Sequence, residues 1–296
     1  MISLPDYFDQ FVRERTYLGN VTPKTREWYE TAWKAFQRWQ QSAPTRVPAS
    51  ALITRSDLQQ FVVHLRERGV KPVSCNCWLR AMNAFCKWLH EQGAISEAVR
   101  VRPQKLEKRI IRVHDDAALR RIVTFRPKTF VEWRIFAVAS AIIDTGCRIN
   151  ELLTIRAADC DFDNLLLTVN GKGRKERRVP MSIELRKVLF RFAQLREKAG
   201  ITSVLIFPAR DGGKWQHRNA RRSYYCFLKR LGLPQSGFHL LRHTFATQYL
   251  RAGGDVVRLS IILGHSEIST TLKYLHLLTE DLQRPHQSLS ILNRMR

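Results

Sequence analysis

Breaking a phosphodiester needs an in-line nucleophile, cations to stabilise charge on the non-bridging oxygens, and a proton for the departing alkoxide. Four short stretches of this chain hold side chains of those kinds. They are Thr145-Gly146-Cys147-Arg148 with Glu151, Gly171-Lys172-Gly173, His239-Leu240-Leu241-Arg242-His243, and Leu263-Gly264-His265 running on to Tyr274. Arginine suits the second task, because its planar fork stays charged and grips two phosphate oxygens at once. Arg148 follows a glycine at a turn and Arg242 falls in a helical stretch, so both can face one cleft. Glu151, one helical turn beyond Arg148, is placed to orient that guanidinium. Lys172 lies between two glycines at an expected hairpin tip, from which it can reach over a bound phosphodiester and protonate a leaving oxygen.

His239 and His243 stand at i and i+4, a spacing that can bind zinc on a helix face. No glutamate follows the first histidine and no cysteine or carboxylate ligand lies close in sequence, so a metal site is not expected. With Arg242 between them, His239 reads as a phosphate-handling residue and His243 as a structural or supporting one. His265, after Leu-Gly at a helix end, is a further candidate for a hydrogen bond to phosphate. Tyr274 is the candidate nucleophile. A phenol titrates near about 10, so it needs cations or a nearby base such as a histidine to attack. Each of these residues alone has a plainer explanation: a surface arginine, a solubilising hairpin lysine, a capping histidine, a packed tyrosine. Their company carries the chemical reading.

The composition agrees with a polyanionic partner. Among 296 residues, 50 Lys+Arg face 26 Asp+Glu, a formal charge of +24 that would repel itself unless screened. A membrane surface is the rival, but the longest apolar run, 135–143, is far too short to span a bilayer. The early Pro5, Asp6 and Asp9 do not read as a signal peptide. Six cysteines without a Cys-x-x-Cys pair read as reduced, buried thiols of a cytosolic protein.

The elements that must position the chemistry follow from periodicity and caps. Residues 1–98 read as a bundle of about four helices. Thr22-Pro23 opens one with Trp28, Ala32, Phe36 and Trp39 as its inward stripe; Thr54 with Asp57 caps another; Pro72 starts a third that ends near Gly93. These aromatics are read as core rather than as a base-stacking platform. Residues 99–112 form a basic linker, in which Arg100, Arg102, Lys105, Lys108, Arg109 and Arg112 face the single acid Glu107. A solvated tether and a strap along a phosphate backbone are both open readings of it. Residues 113–296 form a second domain. Asp115 caps a helix, a long helix spans about 130–143, and a short one follows Arg148. Strands at 165–169 and 177–180 flank an Asn170-Gly171 turn, with Arg174, Lys175 and Arg177 as candidate DNA-backbone contacts. Ser182 caps the next helix, 205–207 is a possible short strand, and helices are expected at 219–231, 239–251, 256–263 and 269–278.

Taken with their order, these motifs resemble the tyrosine recombinase family of phage integrases, Xer recombinases and transposon integrases. The match is carried by Thr145-Gly-Cys-Arg148-Ile-Asn-Glu151, Gly171-Lys172-Gly173-Arg-Lys-Glu-Arg, His239-Leu-Leu-Arg242-His243-Thr-Phe-Ala-Thr and Leu263-Gly-His265 with Thr-Thr-Leu-Lys-Tyr274. Asn150 and Gln248 stand where other residues are common. The resemblance implies a mainly α protein with a small β-sheet: an N-terminal helical, SAM-like core-binding domain and a C-terminal α+β catalytic domain, together a C-shaped clamp on DNA. It implies that Tyr274 forms a 3′-phosphotyrosine, that Arg148, Arg242 and His265 stabilise the phosphate, that Lys172 is the general acid, and that His239 assists proton transfer. A Holliday junction, a homotetramer on two inverted-repeat core sites, and no ATP, metal or other cofactor are implied as well. A cytoplasmic, nucleoid-associated location goes with them. The apolar tail residues Leu289, Ile291 and Leu292 are read either as a segment docking on a neighbouring protomer or as a mobile end. A type IB topoisomerase-like nicking-closing enzyme and a catalytically silent DNA-binding protein of the same fold are the alternatives.

Overall fold

The computed structural model describes residues 2–42, 53–107, 111–171 and 176–275. The chain divides into two compact units, Met1–Arg109 and Ile110–Arg296. Both are built mainly of helices, and the second holds one small sheet.

The first unit contains α1 (Leu4–Tyr17), α2 (Pro23–Ser42), α3 (Arg55–Glu67) and α4 (Pro72–Glu91). Local chemistry starts each of them. Thr54 Oγ1 accepts the Asp57 amide at 3.2 Å while Asp57 Oδ2 accepts the Thr54 amide at 2.7 Å, a reciprocal cap. Ser3 and Asp6 repeat the device on α1, and α2 and α4 open on proline, whose missing N–H costs nothing in a first turn. The aromatic stripe is core: Phe8, Phe11, Trp33, Phe36, Phe61 and Phe85 are buried, with Phe8 stacked on Trp33 at 4.6 Å between centroids. Trp28 and Trp78 are only partly buried. The basic segment is not a free tether at its start. Asn83 Nδ2 donates to the Val101 carbonyl and Asn76 Nδ2 to that of Gln104, each at 2.8 Å, and each asparagine oxygen accepts the same residue's amide in return. The strand-like segment is thereby tied along α4, and Arg100, Arg102 and Lys105 project from it exposed.

In the second unit, α5 (Asp116–Val123) begins at the Asp115 cap and α6 (Phe130–Thr145) runs through the core. Being apolar on nearly every side, α6 is buried along most of its length, as such a helix must be. It packs on α8 (Ile183–Lys198), α9 (His217–Arg230) and α10 (Phe238–Arg251). A short α7 (Ile149–Leu152) follows it. The sheet is antiparallel, β1 (Cys160–Asp161), β2 (Leu166–Asn170) and β3 (Glu176–Pro180) in that order. Leu167 opposite Val179 places two apolar side chains on the core face. The two-residue β1 was not expected from the sequence. The possible strand at 205–207 is a single bridge from Leu205 to Arg156.

After α11 (Val256–Leu263), the expected last helix is a single α-turn, α12 (Ser269–Leu272). The Ile268 carbonyl accepts both the Thr271 amide at 2.8 Å and the Leu272 amide at 2.9 Å, and just beyond the helix the Tyr274 amide donates to the Thr271 carbonyl at 3.0 Å. Residues three apart are neighbours on one helical face, and Thr271 and Tyr274 are both buried.

Gly146 ends α6 in the left-handed region at φ +65°, and a Cβ there would meet Phe245 Cδ1 at 2.4 Å and Leu263 Cδ2 at 2.8 Å. Gly146→Ala therefore combines backbone strain with a collision against the half-buried Phe245 and the buried Leu263. Its denaturant midpoint should fall by the equivalent of on the order of 2 kcal/mol at unchanged m value.

Candidate active site

The site assembles around the C-terminal end of α11. Gly264 closes that helix in the left-handed region at φ +64°, leaving the last carbonyls turned toward the protein. Three guanidiniums occupy them. Arg177 Nε, from β3, donates to the Ile262 carbonyl at 2.7 Å. Arg242 Nη2, from α10, donates to that of Leu263 at 2.7 Å, and its Nη1 donates to the Gly146 carbonyl at 2.7 Å. Arg148, the residue that caps α7, reaches the Leu263 carbonyl at 3.3 Å and the Gly264 carbonyl at 3.4 Å. The negative end of a helix dipole favours cations in this way.

One carboxylate sits among them. Glu151 takes both Nη atoms of Arg177, at 3.0 and 2.9 Å, and Arg148 Nη1 at 3.0 Å, and also accepts the Arg148 amide at 2.7 Å. Burial would raise its carboxyl, but the bonds from Arg177 and from the Arg148 amide outweigh burial and hold it below the usual carboxylate range. Three cations against one anion leave a local excess of positive charge. Arg148 keeps 34% of its side-chain surface exposed, whereas Arg177 keeps 9%. The open guanidinium at this cluster is thus that of Arg148. Arg242 is nearly buried, and desolvation lowers its pKa to about 10, which still leaves it cationic at neutral pH.

Two histidines and the tyrosine line the same place. An Arg242 N–H must be the donor in its 3.0 Å contact with His265 Nε2, so that nitrogen is the acceptor. The proton then sits on Nδ1, which donates to Thr271 Oγ1 at 2.8 Å. His243 Nδ1 lies 2.8 Å from the Tyr274 hydroxyl, with the rings 5.7 Å apart between centroids. Tyr274 is 3% exposed, packed with Ala246, Leu250, Leu259 and Leu263. Burial raises its phenol above the ordinary value, while Arg242 and Arg148 pull it back in part. His239 is exposed, one helical turn before His243; burial of part of its ring, then Arg242 and Arg148, lower its pKa.

Of the residues singled out in the sequence, Arg148, Glu151, Arg242, His243, His265 and Tyr274 are thus brought together, with His239 at the edge. Lys172, Arg174, Lys175, Lys108 and Arg109 and the tail residues Leu289, Ile291 and Leu292 lie outside the described residues. Arg177 departs from its expected place as a DNA-backbone contact: its guanidinium is turned inward and all of its bonds run to Glu151 and α11. Arg112 is exposed. Two features escaped sequence reading. Thr271 is a buried partner of His265, legible only once the fold of this segment is known. The face of α9 carries exposed His217, Arg218, Arg221, Arg222, Lys229 and Arg230 with no acid anywhere in the helix, a signal the sequence did hold. Among the described residues no group of three or more His, Cys, Asp or Glu is placed to hold a metal ion. Cys75, Cys86 and Cys147 are buried, but Cys77 and Cys226 are exposed, against the expectation that the thiols are buried throughout.

Burial and then cationic neighbours, Arg242 among them, depress both His243 and His265 from 6.5 to about 4. The folded protein therefore binds protons at these rings more weakly than the unfolded chain. Their neutral-state stabilisation is complete above about 6.5 and is lost as pH falls toward about 4. The denaturant midpoint should drop across that window, and His265→Gln should show a shallower drop than the unaltered chain.

Comparison with known proteins places this arrangement. Residues 112–281 match the phage integrase family. The tyrosine recombinase XerC of Xanthomonas campestris pv. campestris is 32% identical over 234 residues, covering 77% of this chain and 71% of that protein. XerD of Vibrio cholerae serotype O1 is 29% identical over 243 residues, covering 79% and 80%. Among solved structures, the XerH site-specific recombinase bound to palindromic difH substrate, a post-cleavage complex, superposes with a TM-score of 0.73 at 19% identity, over 96% of this chain and 84% of that one. The Tn1549 transposon integrase in complex with transposon right end DNA gives 0.76 at 20% identity, over 97% and 99%. With a family match that spans more than half of its length, the chain belongs to the phage integrase family, the tyrosine recombinases.

Proposed function

We propose that this chain is a site-specific DNA recombinase that cuts and rejoins strands through a 3′-phosphotyrosine at Tyr274. The observation that supports this most is the buried phenol set beside Arg148, Arg242 and His265, in a cluster with more cations than anions. A phosphodiester carries the negative charge that such a cluster lacks, and charge builds further on its oxygens in the transition state. Arg148, Arg242 and His265 hold the non-bridging oxygens, with Glu151 setting the Arg148 fork. The Tyr274 oxygen bonds to phosphorus, the bond from phosphorus to the 5′ oxygen breaks, and Lys172 supplies the proton that oxygen takes. His239, at the open edge of the cluster, assists proton movement. A 5′-hydroxyl from a partner duplex reverses the step, first producing a Holliday junction. The phosphotyrosine conserves the bond energy, so the chemistry calls for neither ATP nor a metal ion.

DNA with an inverted-repeat core site is the proposed substrate. Arg100, Arg102, Lys105 and Arg112, with the exposed arginines of α9, are its proposed backbone contacts, and Lys108, Arg109, Arg174 and Lys175 are added from the sequence. Residues 1–98 serve as the core-binding domain, 99–112 as the basic linker and 113–296 as the catalytic domain. Four protomers act on two sites, each tail docking through Leu289, Ile291 and Leu292 on a neighbour of the same or a related chain. Integration or excision of a mobile element and resolution of joined DNA molecules both fit this chemistry.

A nicked suicide duplex, from which a short 5′-hydroxyl strand diffuses away after cutting, tests the reading. The protein should accumulate as a covalent DNA adduct that survives denaturation and forms in the presence of EDTA. Tyr274→Phe should form none while still binding DNA, and an adduct on that variant sinks the assignment. Relaxation of supercoils by monomers without junctions between two sites would instead mark a nicking-closing enzyme.

Lys172 has a test of its own. Lys172→Ala should slow cleavage by about 10²-fold or more. A bridging 5′-sulfur, which leaves without needing a proton, should restore it. Lack of rescue with DNA binding intact would make the lysine a backbone contact.

A further inference from the structure

The nucleophile must lose a proton as it attacks, and the geometry names the acceptor. Tyr274 is shut away from water, so solvent cannot take its hydrogen readily. Arg148 and Arg242 lower the phenol's pKa, but burial is the larger influence and the net shift is upward. A general base within hydrogen-bond reach is therefore required. Among the described hydrogen bonds, the Tyr274 hydroxyl is met by His243 Nδ1 at 2.8 Å. Resting on the recombinase reading above, we propose that His243 Nδ1 is the general base that takes the hydroxyl proton of Tyr274 as its oxygen attacks phosphorus.

The groups that face this imidazole are His239 and Arg242 on its own helix, His265 at the end of α11, and Tyr274 after α12. Burial, His239 and Arg242 keep the ring neutral at neutral pH, so the Nδ1 lone pair is free for the phenolic hydrogen. The scissile phosphate brings a negative charge into the same cluster, which raises the basicity of a nearby imidazole when the acceptor is needed. In the forward step the O–H bond of Tyr274 gives its proton to Nδ1, the oxygen bonds to phosphorus, and the 5′ oxygen departs with the proton of Lys172. His243 is then an imidazolium for as long as the phosphotyrosine lasts. In the reverse step it returns the proton to the phenolic oxygen as a 5′-hydroxyl displaces it.

His243→Asn separates a hydrogen bond from a base, because the amide end falls near the place of Nδ1 but does not accept a proton. On the suicide duplex at saturating protein, its adduct should form about 10²–10⁴-fold more slowly than that of the unaltered chain. DNA affinity and melting temperature should be unchanged. The acid limb of the pH–rate profile should vanish in this variant, and added imidazole should speed His243→Ala. A His243→Asn rate and pH profile equal to the unaltered chain's would overturn the proposal. So would a slow variant with the acid limb intact and no imidazole rescue of His243→Ala, which would leave only a positioning role. Should these variants fail to fold, nitrogen NMR of the unaltered protein decides: Nδ1 of His243 must be the unprotonated nitrogen, and a proton there overturns the assignment. If the unaltered chain forms no adduct dependent on Tyr274, the recombinase reading fails and this one with it. An adduct with indifferent His243 variants removes this inference alone.

Discussion

Three guanidiniums converge on the C-terminal carbonyls of α11, and the rest of the site is arranged around the difficulty of keeping them there. Like charges at such separations repel, and each ion loses hydration as it is enclosed. The repulsion is offset by backbone dipoles aligned at one helix end and by Glu151, which bridges Arg148 and Arg177. Arg242 links two further parts, since its second branch holds the carbonyl of Gly146. The ends of α6 and α11, the start of α7, and β3 are thereby referenced to one another through charged hydrogen bonds. These are stronger and more directional than the apolar contacts beneath them.

The same electrostatics sets the state of the histidines. Beside buried arginines an imidazolium is costly, so His243 and His265 are held neutral and act as acceptors as well as donors. His265 uses both nitrogens at once, joining Arg242 to the buried Thr271. Thr271 and Tyr274 lie three residues apart and are both buried, so one short segment supplies the partner of His265 and brings Tyr274 to His243.

Much of this was legible in the residues. The caps at Thr54, Asp115 and Ser182, the proline starts of α2 and α4, and the β2–β3 pairing all follow from local chemistry that tertiary structure did not override. The convergence of Arg148, Arg242, His265 and Tyr274 was expected from their types and order. Arg177 was not, because nothing local distinguishes an arginine that faces DNA from one that faces a carboxylate 26 positions earlier. The partners of Tyr274 and His265 are contacts between separate elements, His243 on α10 and Thr271 on α12, which periodicity cannot register. The strap along α4 escaped for a related reason: Asn76 and Asn83 sit mid-helix, and their reciprocal bonds to a later segment carry no sequence spacing of their own.

The acceptors that hold the arginines are main-chain carbonyls, and a carbonyl is present whatever side chain its residue carries. Substitutions on the outer face of α11, where Val257 and Ile261 are exposed, leave those acceptors in place provided the helix still ends on its left-handed glycine. The chemistry of the cradle is thus decoupled from the surface of the helix that supports it. A lineage could rebuild that outer face to suit new neighbours while the inner face went on gripping the same ion in the same way.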